Sequence, residues 1–391
     1  MRPETLTCRV GAGLSASPVP HQAACDAACE AAAELGGAHV DLAFLFLSAE
    51  HRAGAEEALE AVEEELAPGH LLGCLAQGVV ARDRELEQGP GAAVWAASLP
   101  EASVEPFHAV VLETDEGVAV TGVPLLDGAD LVTLLVDPFT FPAAGFLAKL
   151  SEEEDFAPVV GGLAVGTGEP DAQALFLDGE LLSEGAVGAV LRGVPVRTVV
   201  SQGCAPVGRD SVITSADGNV VFELAGEPAL ERLRGDLGTL TEAQQRSAAS
   251  GGVLAGLVID ENRAEYRRGD YLMRGLMGID EQTGALAVGE AVRVGQTLRF
   301  HVRDAGSADE DLRENLAAAL DGERAAGALL FTCNGRGTNL FADPDHDARL
   351  AAELLGGEAL AGFFCAGEIG PVGGKPFLHG FTATLAVFLQ S

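Results

Sequence analysis

The chain has 391 residues, of which 59 are acidic and 24 basic, for a net charge of −35. Phosphate binding needs clustered Lys and Arg, so nucleic acid is excluded as an expected partner. With 48% hydrophobic and 21% charged residues, the composition is globular and long enough for two or three domains.

No apolar stretch approaches the ~20 residues that span a bilayer. Residues Met1 to Pro20 hold no basic region followed by an apolar block. The expected location is cytoplasmic, with no membrane partner. The acidity is read as solvated surface charge, which keeps a protein soluble and says little about fold. The seven cysteines are Cys8, Cys25, Cys29, Cys74, Cys204, Cys333 and Cys365. Their odd number, wide spacing and lack of a C-x-x-C pair predict reduced thiols and give no local nucleus for zinc.

In chain order, Leu6 to Val10 reads as a short extended segment. Gly11-x-Gly13-x-x-Ala16 formally fits a dinucleotide fingerprint, but Pro18 and Pro20 separate it from the following helix. That helix, His21 to Leu35, carries a small-residue face of Ala24, Ala27, Ala28 and Ala31. Cys25 and Cys29 lie four apart on it, and packing against a sheet is the expected role for small thiols. The apolar run Leu42 to Leu47 predicts a strand buried on both faces. Ala53 to Leu66 predicts an amphipathic helix.

Three glycine-framed segments then mark an internal repeat: Gly73 to Val80, Gly161 to Gly168 and Gly362 to Ile369. Each follows an apolar strand (Leu42–Leu47, Leu131–Val136, Ala328–Thr332) and a helical stretch. Each precedes a turn and another apolar strand (Ala92–Ala97, Gly188–Leu191, Phe381–Phe388). The longer gap between the second and third copies leaves room for a degenerate fourth in residues 196–305. A domain boundary is expected near 195–210, where Gln202 to Gly208 reads as irregular chain. A strand is expected at Thr297 to Val302, and helices at Ala308 to Leu320 and Ala348 to Leu355.

Candidate chemistry concentrates in the third copy. At the fourth and seventh positions of the glycine segments the copies hold Ala76, Ala164 and Cys365, then Val79, Thr167 and Glu368. The preceding strand runs into Cys333-Asn334-Gly335-Arg336-Gly337, where the other copies have Ser48 and Asp137-Pro138. His379 lies in the turn that follows. The expected ligand-binding set is therefore Cys333, Asn334, Arg336, Cys365, Glu368 and His379, a few polar groups converging in an apolar region. The Arg336 guanidinium suits a ligand carboxylate and Glu368 an ammonium group, which together fit an amino-acid-like ligand. Equally, Arg336 and Glu368 pair with each other and order two loops. A nucleophilic Cys365 or Cys333 with His379 is a further alternative, without a local hydrolase signature. Asp343, Asp345, His346 and Asp347 read as helix capping in preference to metal ligation. No resident metal or cofactor is expected.

Several of these residues carry a family resemblance. Leu72 to Gly78, Tyr266 to Leu272, Phe331 to Gly337, Ala361 to Pro371 and Phe377 to Ala383 make the chain similar to the FIST family, named for F-box and intracellular signal transduction proteins. The resemblance spans nearly the whole chain. It implies a FIST N-terminal domain at 1–195, a FIST C-terminal domain at 196–391 and a stand-alone sensory module without an F-box. The implied function is small-ligand binding coupled to a downstream signalling protein. An enzyme using a Cys/His pair and a protein-interaction scaffold are the alternatives. The expected architecture is mixed α+β: two related, pseudo-duplicated domains, each a mixed or antiparallel sheet packed with helices.

Overall fold

The computed structural model of the protein describes residues 7–115, 117–152, 157–166, 169, 172–249 and 252–390. Leu6, Thr167 and Gly168 of the segments above lie outside the described residues. The fold is mixed α+β with two compact units. Unit 1 takes in Met1–Val200, Leu312–Leu378 and Thr382–Ser391; unit 2 takes in Ser201–Asp311 and His379–Phe381.

Unit 1 is built on three sheets. The first has the order Arg9–Ser15, Ala92–Ser98, Leu42–Ser48, His70–Ala76, Leu175–Leu177, Glu180–Leu182. The second has the order Lys375–His379, Glu368–Val372, Val159–Leu163, Leu131–Val136, Ala186–Arg192, Ser103–Thr114, Gly117–Thr121. The third has the order Val196–Gln202, Thr382–Leu389, Ala325–Cys333, Leu360–Cys365, Val79–Ala81, Arg84–Leu86.

The repeat expected from the glycines is present in all three. In each copy a first strand connects through a helix to a parallel second strand: Leu42–Ser48 to His70–Ala76, Leu131–Val136 to Val159–Leu163, and Ala325–Cys333 to Leu360–Cys365. The intervening helices are Ala55–Leu66, Ala143–Leu150 and His346–Leu355. A third strand then returns antiparallel beside the first. The register is the same in each: Leu45 faces Gly73, Leu134 faces Gly161 and Leu330 faces Gly362. A Cβ at any of these glycines would collide with the carbonyl group of its partner leucine. Glycine is thus required where two parallel strands come unusually close.

Between second and third strands each copy makes a short hairpin, and none of the hairpins stays in its own sheet. That of the first copy, Val79–Ala81 with Arg84–Leu86, adds to the third copy's second strand. The second copy's, Leu175–Leu177 with Glu180–Leu182, adds to the first copy's. The third copy's strand Glu368–Val372 adds to the second copy's. The exchange is cyclic, and the inner faces of the three sheets share one core. Phe44, Phe46, Trp95, Leu135, Val187, Phe331, Phe363 and Phe388 belong to it. Phe46 meets Phe363 with ring centroids 5.3 Å apart, and Trp95 meets Phe388 at 4.9 Å.

The helix Pro20–Leu35 lies on the outer face of the first sheet, through Ala23, Ala24, Ala27, Ala28 and Ala31. Gly11 and Gly13 are inside the strand Arg9–Ser15, not in a phosphate-binding loop. A Cβ on either would strike the carbonyl oxygens of Ala31 and Ala27. Their spacing therefore serves close helix-on-strand packing, in agreement with the prolines that argue against a dinucleotide loop. Cys25 is half-buried and packs against the core beneath this helix, as expected, whereas Cys29 is exposed and its packing role is corrected.

Unit 2 has one antiparallel sheet in the order Cys204–Asp217, Thr297–Arg303, Val253–Val258, Tyr271–Asp280, Ala285–Val288, Val220–Leu224, Glu227–Pro228. Its first four strands follow the order of the other sheets, but the loop 259–270 replaces the crossover helix and makes the pair antiparallel. Residues Cys204 to Gly208, expected as irregular chain, belong to the strand Cys204–Asp217. Its register shifts between Val207 and Ser211, and Gly208 takes a φ of 63°, so a bulge accommodates the proline and glycine that suggested a break.

The close strand approach is open to test. Gly362→Ala should lower unfolding free energy by about 3 kcal/mol in urea titrations, because backbone cannot move aside as a side chain can. Gly145→Ala, in the helix Ala143–Leu150 with nothing within 4 Å of the added carbon, should raise it by about 0.5–1 kcal/mol. Equal responses at the two positions would refute the packing account.

Candidate functional site

The polar residues of the third copy gather where its parallel strands end. Cys333 and Cys365 are register partners at those ends, and both are buried. The Cys365 thiol donates to the carbonyl oxygen of Phe363 at 3.6 Å. Burial pushes this thiol well above its usual range, and the neighbouring Glu368, Cys74 and Cys333 add to the effect. Burial raises Cys74 likewise. A nucleophilic cysteine needs the opposite environment.

Glu368 is fully buried. Thr382 donates to its Oε2 twice, from the backbone N at 3.0 Å and from Oγ1 at 2.8 Å. Burial raises the carboxyl to about 8 against the opposing pull of Thr382, Cys333 and Arg336. At neutral pH it is largely a neutral acid.

Arg336 is the most constrained residue of the site. It has no exposed surface, and its fork closes on Asp347: Nε to Oδ2 at 2.6 Å and Nη2 to Oδ1 at 2.8 Å. Thr332 Oγ1 donates to the same carboxylate at 2.8 Å, and His346 Nδ1 lies 3.0 Å from Oδ1. Burial alone would raise the Asp347 pKa; the Arg336 guanidinium overrides it and holds the carboxyl well below the usual range. Phe341 stacks on His346 with centroids 3.4 Å apart, and the Arg336 guanidinium sits 5.3 Å from the Phe341 centroid. The two-pronged partner is therefore Asp347, not Glu368. Arg336 Nη1 has no hydrogen-bond partner among the described residues.

The exchanged hairpin of the first copy completes the site. Glu85 donates from its backbone N to Asp345 Oδ1 at 2.7 Å and accepts from the Ala348 N–H at 3.0 Å. Burial, followed by the charge of Asp347, raises its carboxyl to about 8. Glu87 accepts from Thr338 N and Oγ1, both at 2.8 Å. Gly337, with φ 52°, lies against this carboxylate where a Cβ would come within 2.6 Å of it. Sequence reasoning missed Glu85 and Glu87, since nothing local signals that an edge hairpin crosses to another sheet. The expected side-chain cap by Asp345 is absent: its φ is 61°, and the carboxylate serves the Glu85 N–H and Arg349.

Asn334 is half-buried, with its Oδ1 lacking a partner among the described residues. With Gln77, Glu87, Gln88, Thr338 and Asn339 it lines a polar cleft of about 50 Å³. That space suits a small polar head group or a few waters. Of the six residues expected as a set, Cys333, Asn334, Arg336, Cys365 and Glu368 belong to unit 1. His379, buried at the end of the strand Lys375–His379, is grouped with unit 2. Among the described residues, no helix is long and apolar enough to cross a membrane.

A family profile, the FIST N domain, matches residues 41–227, and a second, the FIST C domain, matches residues 229–371. An uncharacterized protein of Mycobacterium tuberculosis is 46% identical over 387 residues, covering 98% of this chain and all of the relative. An uncharacterized protein of Mycobacterium bovis is 44% identical over 386 residues, covering 98% and 99% of the two chains.

Two predictions follow from the buried charges. Arg336→Ala strands the Asp347 carboxylate and should cost about 3–5 kcal/mol in denaturant unfolding. Arg336→Lys should recover only part of that loss, because an ammonium cannot reproduce the fork. The second concerns pH. The folded-state pKa of Glu368 lies above its unfolded value, so its contribution is full below ~4.3 and lost as pH rises through about 8. Stability should fall across that window, and Glu368→Gln should flatten the slope. A Glu368→Gln protein with the parental pH profile would refute the assignment.

Proposed function

The chain belongs to the FIST family, whose domains are associated with sensory and signal-transduction roles, and from that premise we propose that it is a small-ligand-binding sensory module. The proposed ligand is amino-acid-like, and its ammonium end enters the cleft beside Asn334. The observation that carries this reading is Asn334, which lines a polar cleft too small for a bulky ligand and whose buried Oδ1 has no hydrogen-bond partner among the described residues. Unsatisfied buried acceptors are rare and call for a partner. Glu87 adds negative charge to the same cleft.

The other members of the proposed set act from behind. Arg336, locked to Asp347, fixes the turn that presents Asn334. Its backbone N–H donates to the Cys333 carbonyl oxygen at 2.7 Å, and Asn334 N–H donates to that of Cys365 at 2.8 Å. Cys333, Cys365 and Glu368 form the buried wall on which that turn rests. Signal output runs through a downstream protein in the cytoplasm. The raised thiols of Cys74 and Cys365 favour this reading over a cysteine enzyme.

Thermal unfolding against amino acids, amines and small carboxylates, at low and high salt, tests the proposal. A ligand at 100 times its Kd should stabilise by about 2.7 kcal/mol. Asn334→Ala should abolish that shift while leaving the unliganded melting temperature near the parental value, since the side chain is half-exposed. Arg336→Ala is unsuitable as the site variant because it removes a structural ion pair. A panel without any shift, or a shift that survives Asn334→Ala, overturns the site.

A further inference from the structure

The helices Pro20–Leu35 and Ala55–Leu66 carry a group of side chains that the ligand site does not use. Cys25 and Cys29 stand one turn apart, and Glu65 reaches them from the neighbouring helix. One ligand atom from each, two Sγ and a carboxylate oxygen, lie within 4.8 Å of one another. Cys25 is half-buried, while Cys29 and Glu65 are exposed, so a cation can reach all three from solvent. Cys25 packs in part against the core beneath the helix, whereas packing does not explain Cys29, which is exposed.

We propose that Cys25, Cys29 and Glu65 form a surface site for a thiophilic divalent cation of the Zn²⁺ class. Two thiolates select a soft or borderline metal over Mg²⁺ and Ca²⁺, and the carboxylate supplies a third, harder donor. Three protein ligands leave the fourth tetrahedral position to water or an exogenous donor, the arrangement of an open site. Binding is a proton exchange without redox change: the cation takes two thiolates and a carboxylate, and two thiol protons go to solvent. The net charge of −35 raises the local cation concentration and favours association. The helix spacing preorganises two of the three donors, and packing of the second helix supplies the third.

The test uses the full chain, reduced with a non-thiol reductant and freed of metal. Titration with Cd²⁺ should give thiolate-to-metal charge-transfer absorption that saturates at one equivalent. Zn²⁺ should compete it away, and Mg²⁺ in large excess should not. Cys25→Ser and Cys29→Ser should each weaken Cd²⁺ binding by at least ~10-fold, the loss that even outer-shell partners produce. Each should also reduce the charge-transfer band per bound metal. Glu65→Gln should weaken binding while leaving that band intact. Cys29 and Glu65 are exposed and serine is close in size to cysteine at half-buried Cys25, so the metal-free melting temperature should stay near the parental value. A titration without a charge-transfer band overturns the proposal, as does saturable binding that persists in the doubly substituted Cys25→Ser/Cys29→Ser protein.

Discussion

Unit 1 depends on one constraint: each copy of the repeat has to borrow a hairpin. A parallel pair with one antiparallel return leaves the second strand as an open edge, with its N–H and C=O groups unpaired. Each of the three second strands meets an edge from another copy, Leu175–Leu177, Glu368–Val372 or Val79–Ala81. The donors follow a closed cycle, so no copy is finished without the other two. One shared aromatic core follows from that closure, with Phe46 and Phe363 from different copies in contact. It also explains how residues 79–87 come to serve a loop near 340, far away in sequence.

The candidate site is a consequence of the same exchange. The turn after Cys333 would be a loose loop if only its own strand held it. Glu85 and Glu87, delivered by the first copy's hairpin, fasten its two ends through Ala348, Asp345 and Thr338. Arg336 is then held in place from within by Asp347. A buried ion pair of this kind is poor evidence of stability by itself, since desolvation offsets much of its attraction. Its value here is geometric. It fixes the backbone of the turn and leaves Asn334 as the group that meets the cleft.

Much of this was legible in the sequence, and the gaps have physical causes. The three-copy repeat was readable because backbone crowding forces glycine at positions 73, 161 and 362, and no other residue can replace it there. Ser48, Asp137 and Cys333 were correctly equated as strand ends, since each lies three residues beyond the leucine facing its glycine. The fourth copy was readable as a length of chain but not as a topology, because a loop had replaced its crossover helix. The hairpin exchange left no local trace: the strands Val79–Ala81 and Leu175–Leu177 have three residues each, too few for a periodic signal. Asp347 as the partner of Arg336 was not legible for a related reason. Asp347 stands in an acidic cluster at the start of a helix, where the sequence alone reads its carboxylates as capping. Three-dimensional proximity alone singles out the one that Arg336 takes.

The acidity has a structural component that a count of charges conceals. Reading −35 as solvated surface is correct for most of the carboxylates, yet a subset performs internal work. Asp178 accepts from the Leu71 N–H, Asp130 from Gly193 and Val194, and Asp41 from Leu99. In unit 2, Asp311 accepts from Gln202, and Asp210 from the Tyr271 hydroxyl. All but the Tyr271 hydroxyl are backbone N–H donors at or near strand ends. Charge-assisted bonds of this type are stronger than neutral ones. A chain made of sheets that exchange edges has many such ends, and short carboxylates are a compact way to close them. The excess of Asp and Glu over Lys and Arg is thus partly a property of the fold. Local function, in the cleft beside Asn334 or at the thiol pair of Cys25 and Cys29, depends on which of those carboxylates remains uncommitted.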